Sequence, residues 1–108
     1  MSELPSEKIL DKMEELLSVI SDYTRLKILY VISKKEKNVT EIINEVGASQ
    51  SLVSHQLRVL KKHDLVDTHK DGHKVYYKLA DYHITHMLQV VYDHVTEKEY
   101  CYGQGKDK

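Results

Sequence analysis

The sequence has no tryptophan, no phenylalanine, one cysteine and one proline among its 108 residues. A single thiol, Cys101, cannot close an intrachain disulfide, which fits a reducing compartment. No apolar run approaches the ~20 residues that a membrane span needs, so no membrane is expected as a partner. The segment from Met1 to Lys12 is polar and acidic and lacks the layout of a secretory signal. These absences together predict a cytoplasmic protein. No pattern suggests a nucleophile with a base and an orienting acid, so neither an enzyme nor a small-molecule substrate is expected. Internal repeats and linkers are missing too. A chain of this length holds one domain with a modest core, and such domains often gain stability by dimerising.

What is present is ordinary for a soluble domain, with 41% hydrophobic residues, 31% charged residues and a net charge of −1. The charge is spread unevenly. Residues 1–22 carry two lysines against six acids, and residues 79–108 carry three lysines against five acids. Residues 23–48 carry five basic groups against three acids, and residues 49–78 carry six against three with four of the seven histidines besides. Local charge sets the field that a phosphate backbone meets, so the middle of the chain is where nucleic acid would bind.

Ile9, Met13, Leu16, Leu17 and Ile20 recur at helical spacing behind Pro5 and predict a first helix over residues 6–20. Asp22 caps a second helix over residues 23–33, apolar nearly all round and therefore central. Residues 34–38 read as a charged turn. Thr40 opens a short third helix that Gly47 closes, and Ser49 or Ser51 caps a fourth that runs to about residue 63. Residues 66–70 and 74–79 alternate as strands about Asp71-Gly72, a strong hairpin signal. Asp81 caps a long last helix to about residue 99, and residues 100–108 read as a disordered tail. The expected fold is mainly α with a β-hairpin, in the order α-α-α-α-β-β-α, as one domain over residues 1–99.

A short helix, a glycine turn and a second helix make a helix-turn-helix pattern, in which the second helix enters the major groove with its N-terminal residues at the base edges. Here those residues are Ser49, Gln50, Ser51, Ser54, His55 and Arg58, opposite the inward stripe of Val53, Leu57 and Leu60. Gln pairs bidentately with adenine and Arg with guanine, while Ser and His serve bases or phosphates. The hairpin that follows carries His69, Lys70, His73 and Lys74, so it reads as a wing reaching the DNA backbone or minor groove.

The run Ser49-Gln50-Ser51-Leu52-Val53-Ser54-His55-Gln56-Leu57, followed by Leu60-Lys61 and Leu65-Val66, strongly resembles the ArsR/SmtB family of bacterial metal-sensing repressors. Residues 22–29 resemble the family's second-helix signature and residues 70–79 its wing, and the likeness spans roughly residues 9–97. The resemblance implies a winged helix-turn-helix homodimer that represses transcription from a double-stranded DNA operator and releases it on binding metal, typically at a metal-export or resistance gene. The family's wing usually carries Arg where this chain has Lys70 and His73, and neither reproduces Arg's fork.

The last helix carries Asp81, His83, His86, His94 and Glu97. His83 and His94 are close to three turns apart and so point the same way, and Glu97 lies one turn beyond His94 on that face, with Met87 and Val90 between. If two copies of this helix pack antiparallel about a dyad near Leu88 and Gln89, His83 of one copy faces His94 of the other and Asp81 lies close to Glu97. Two identical sites result, each with two imidazoles and two carboxylates, a set that suits tetrahedral zinc. The spacing also matches the family's C-terminal-helix site, which the resemblance implies is an inter-subunit zinc site. Cobalt or nickel could occupy the same ligands, and His86 or Cys101 could add another. The family's alternative site uses a cysteine pair in the third helix, and this chain has no cysteine there. Taken singly, Asp81 is also a natural helix cap and the histidines are ordinary surface residues. A metal-independent winged-helix regulator, or a dimeric interaction module, is the rival reading.

Overall fold

Side-chain caps fix where most of the helices begin. The computed structural model describes residues 3–102, with side chains through residue 97. Ser6 accepts from the Ile9 amide at 3.2 Å and starts α1 (Glu7–Ile20). Asp22 accepts from the Arg25 amide at 3.0 Å and starts α2 (Tyr23–Lys34). Asn38 and Glu41 bond reciprocally to each other's backbone amides, a capping box that starts α3 (Val39–Val46) one residue before Thr40. Ser49, rather than Ser51, caps α4 (Gln50–Lys62). Strands β2 (Val66–Asp71) and β3 (Lys74–Leu79) follow, and α5 (Tyr82–Tyr102) ends the described chain. This helix runs through residue 102, beyond the expected end near residue 99. The rest of the expected tail, residues 103–108, lies outside the described residues.

One element differs from the sequence expectation. Within the expected charged turn lies a two-residue strand, β1 (Lys37–Asn38), that pairs antiparallel with β3 through Lys37–Tyr77 and Asn38–Tyr76. The hairpin is thus part of a three-stranded sheet in the order β1-β3-β2. Two residues carry no periodicity to read. Asp71 pairs with Lys74, so the hairpin loop is Gly72 and His73, with φ +66° at the glycine. A two-residue hairpin loop needs positive φ at its first position, which glycine gives freely.

The core gathers around α2, where Ile28 and Leu29 are fully buried against Ile42 of α3 and Val53, Leu57 and Leu60 of α4. Leu65 and Val66 close it at the root of the sheet. The two outermost helices are only half used. On α1, Val19 and Ile20 are buried, but Ile9, Leu10, Met13 and Leu17 stay 37–55% exposed. On α5, Ile84 and Leu88 enter the core, while Val90, Val91, Tyr92 and Val95 stay 47–57% exposed. The Cα radius of gyration is 16.3 Å, against ~13 Å for a compact domain of this length. Both end helices project from the central body. Even α2 is not sealed all round: Leu26, Tyr30 and Val31 line a 470 Å³ cavity shared with Val91, Tyr92 and Val95 of α5.

The α3–α4 turn depends on Gly47, which sits at φ +75° and donates its amide to the Ile43 carbonyl at 2.8 Å. A Cβ there would meet nothing within 4 Å, so the constraint is backbone conformation alone. Gly47→Ala is expected to lower unfolding free energy by ~1–2 kcal/mol, the cost of a left-handed residue. Urea denaturation would show it as a lower midpoint at unchanged m-value.

Candidate functional site

The capped α4 presents two unlike faces. Val53, Gln56, Leu57 and Leu60 are buried, whereas Ser49, Gln50, Ser51, His55 and Arg58 are exposed and Ser54 is half-buried. The residues expected to read DNA therefore form one outward face of the helix that follows the Gly47 turn. Leu52 lies exposed on that side as well, where an apolar side chain can meet a thymine methyl. The sequence analysis gave it no role, since it belongs neither to the inward stripe nor to the polar residues.

The wing projects beside this helix. Lys70, His73 and Lys74 are exposed around its tip, with Asp71 tempering their charge. Its root is fastened twice. Lys61 of α4 donates to the Thr68 hydroxyl at 3.1 Å, and His69 Nδ1 lies 3.3 Å from Glu36 Oε1 while its ring stacks on Tyr76. His69 is thus a strand-anchoring residue rather than a free cation at the tip. The Ala80 amide, just after β3, donates to the carbonyl of Leu65, just before β2, at 3.0 Å. The Leu65 amide donates to the Leu60 carbonyl of α4 at 2.9 Å, so the approach to α5 is linked to α4 through Leu65.

On α5 the expected metal ligands fall into two sets. At the N-terminus the Asp81 carboxylate accepts from the amides of His83 at 2.9 Å and Ile84 at 3.3 Å, and its Oδ1 lies 3.4 Å from His83 Nδ1. Both side chains are largely open to solvent. That contact turns one imidazole nitrogen towards the carboxylate and leaves Nε2 as the free donor. At the other end, His94 and Glu97 are exposed on adjacent turns. Eleven residues of helix separate His83 from His94, about 16 Å along the axis, so one ion cannot touch both in one chain. Among the described residues no three His, Cys, Asp or Glu side chains of one chain come together as a metal site. The donor chemistry of the expected residues suits zinc, and within one chain they stand as two separate pairs. His86 is exposed on the same helix, and Cys101 lies among the side chains that are not described.

Sequence reasoning gave no role to Arg25 and Gln56. Gln56 is one of two buried polar residues among the described residues, 8% exposed, and its Oε1 accepts from Arg25 Nη1 at 2.7 Å. The usable signal was a glutamine at an inward helical position, which needs a polar partner.

A helix-turn-helix with a basic antiparallel wing defines a winged-helix DNA-binding regulator. Residues 22–68 match the family model of the bacterial regulatory protein, arsR family. The chain is 35% identical to the transcriptional repressor SmtB homolog of Synechocystis sp., over 82% of this chain and 67% of that protein. It is 34% identical to the cadmium resistance transcriptional regulatory protein CadC homolog of Staphylococcus aureus, over 77% of this chain and 69% of that protein. Its fold is similar to that of HlyU from Vibrio cholerae N16961, with a TM-score of 0.74 and 30% identity over 80% of this chain and 94% of that one. The chain belongs to the arsR family: it is a transcriptional repressor of the ArsR/SmtB type, not an enzyme. No described helix is long and apolar enough to cross a membrane.

The hydrogen bonds at Asp81 separate its capping role from any ligand role. In metal-free protein, Asp81→Ala should lower stability by ~1 kcal/mol through loss of the cap. His94→Ala, which removes an exposed side chain, should leave it unchanged. Urea unfolding in the presence of a chelator checks both.

Proposed function

We propose that the chain is a cytoplasmic homodimeric repressor that releases a palindromic operator when zinc binds between the two copies of α5. The observation that carries this reading is the split ligand set: Asp81 with His83 at one end of α5, His94 with Glu97 at the other, flanked by an apolar face left open. Two copies packed antiparallel complete two sites, each drawing Asp81 and His83 from one chain and His94 and Glu97 from its partner. They also cover Val90, Val91 and Val95 on α5 and, with α1, Ile9, Met13 and Leu17. The cadmium-resistance name of one relative supports metal-linked control. The absence of cysteine from α3 favours nitrogen and oxygen ligands, and hence zinc, with cobalt or nickel as substitutes.

Zinc, when bound, would supply four-coordinate bonding that fixes one chain against the other. The chain's own contacts carry orientation onwards. α5 follows β3 after Ala80 and Asp81, β3 pairs with β2, and Ala80 bonds to Leu65, whose own amide bonds to Leu60 of α4. The angle between the α5 helices therefore sets the spacing of the two α4 helices. Half-sites lie about one DNA turn apart, so a change of spacing spoils both together. Gln50, Ser51, Ser54, His55 and Arg58 read the bases, while Lys70, His73 and Lys74 hold the backbone.

Two measurements test the reading, using a duplex selected from a random pool by the metal-free protein. Arg58→Ala should weaken binding to it by ~1–3 kcal/mol, and anisotropy titration reads that loss; unchanged affinity would remove α4 from the interface. Zinc should bind free dimer more tightly than DNA-bound dimer, by the factor by which it weakens DNA binding. Cobalt should give a tetrahedral d–d spectrum lost in both His83→Ala and His94→Ala. Equal zinc affinity with and without DNA would leave a metal-independent regulator.

A further inference from the structure

The reading helix is buried on one side mostly by aliphatic groups. Val53, Leu57 and Leu60 are at most 2% exposed, and apolar packing of this kind is non-directional. Such contacts hold α4 against the core but only loosely resist rotation about its own axis. A turn of ~20° would move side-chain tips at a radius of ~5–6 Å by about 2 Å. Hydrogen bonds to base edges do not survive such a shift.

One polar contact resists that turn. Arg25 spreads its guanidinium between two neutral acceptors, with Nε 2.8 Å from the Val19 carbonyl and Nη1 2.7 Å from Gln56 Oε1. Its backbone amide is held in turn by Asp22 Oδ2 at 3.0 Å, the N-cap of α2. Val19 belongs to the last turn of α1, Arg25 to the first turn of α2, and Gln56 to the middle of α4. The guanidinium is a rigid planar fork, so its two bonds constrain direction as well as distance. Gln56 stands between His55 and Arg58 in sequence and points the opposite way, inward. A second contact runs parallel: Glu15 Oε2 of α1 lies 3.3 Å from Nδ1 of His63, the C-cap residue of α4.

We propose that Arg25 and Gln56 are positioning residues for DNA recognition: the Val19–Arg25–Gln56 bridge sets the rotation of α4 about its axis, referred to the end of α1. The bridge serves sequence discrimination rather than overall affinity. Phosphate contacts tolerate small displacements and carry no sequence information, whereas bidentate base contacts depend on placement. The inference rests on α4 being the reading helix and is independent of metal.

The test uses full-length wild type, Gln56→Met, Gln56→Glu and Arg58→Ala. Each is titrated by anisotropy against the duplex that wild type selects from a random pool, and against a shuffled duplex of equal length and composition. Gln56→Met keeps the volume but removes the acceptor; it should lose about tenfold on the selected duplex, one base contact's worth, and hold its affinity for the shuffled one. Gln56→Glu restores an acceptor for the guanidinium and should recover most of the discrimination. Equal loss on both duplexes, tracking a lowered melting temperature, would make the bridge merely structural and overturn the proposal. So would Gln56→Met discriminating like wild type, or Gln56→Glu failing as Gln56→Met does. Arg58→Ala separates the premises. If it weakens selected binding while Gln56→Met does not, only the bridge fails; if it has no effect, the α4 reading fails and the bridge falls with it.

Discussion

The chain cannot bury its own first and last helices, and most of its architecture depends on that. α2, α3 and α4 pack into a centre in which Ile28, Leu29, Ile42, Val53 and Leu60 have no exposure at all. α1 and α5 bury Val19, Ile20, Ile84 and Leu88 in it, pack Leu16 and Met87 against its edge, and leave apolar faces open. Continued exposure of such faces costs ~25 cal/mol per Å² of apolar surface, a strong drive towards a second copy. The same geometry divides the ligands. A helix of 21 residues separates the two proposed ligand pairs by more than one metal ion can span, so the proposed site requires two chains. On that reading dimerisation and metal binding are one requirement seen at two places on α5.

The polar contacts add direction to this apolar frame. Lys61 to Thr68, His69 to Glu36 and Ala80 to Leu65 each join elements that aliphatic packing alone would let slide. They cluster where α4, the wing and α5 converge. On the proposed reading, a shift of α5 would reach the outward face of α4 through these bonds as well as through the core. The wing gains importance from its chemistry. Lysine and histidine hold phosphate as point donors without the fork of arginine, so on the proposed reading the wing adds affinity while α4 carries the discrimination.

Much of this was legible in the sequence because the signals were local. The caps at Asp22 and Ser49, the stop at Gly47, the alternation around Asp71-Gly72 and the inward stripe of α4 each belong to a few neighbouring residues. Arg25 and Gln56 escaped because they lie 31 positions apart, and neither is unusual in its own helix. The strand β1 escaped because two residues have no period and exist as a strand only through pairing with Tyr76 and Tyr77. The exposure of Leu17 and Met13 could not be read either. An amphipathic stripe announces that a face will be covered without saying whether its own core or another chain covers it.

Asp81 shows how one residue can serve the fold and the proposed switch together. Its carboxylate already accepts two backbone amides at the start of α5 and sits against His83. Helix and imidazole are thereby oriented before any metal arrives, so little ordering entropy remains to be lost on binding. Preorganisation at this end leaves the free energy of completing the site to be spent on the approach of the partner's His94 and Glu97, which belong to the open end of the helix. A ligand shifts an equilibrium only by its differential affinity for the two states. On the proposed reading that difference resides in inter-chain geometry, because neither pair of ligands in one chain can complete a site without the other chain, and the coupling to DNA would run through the distance between chains.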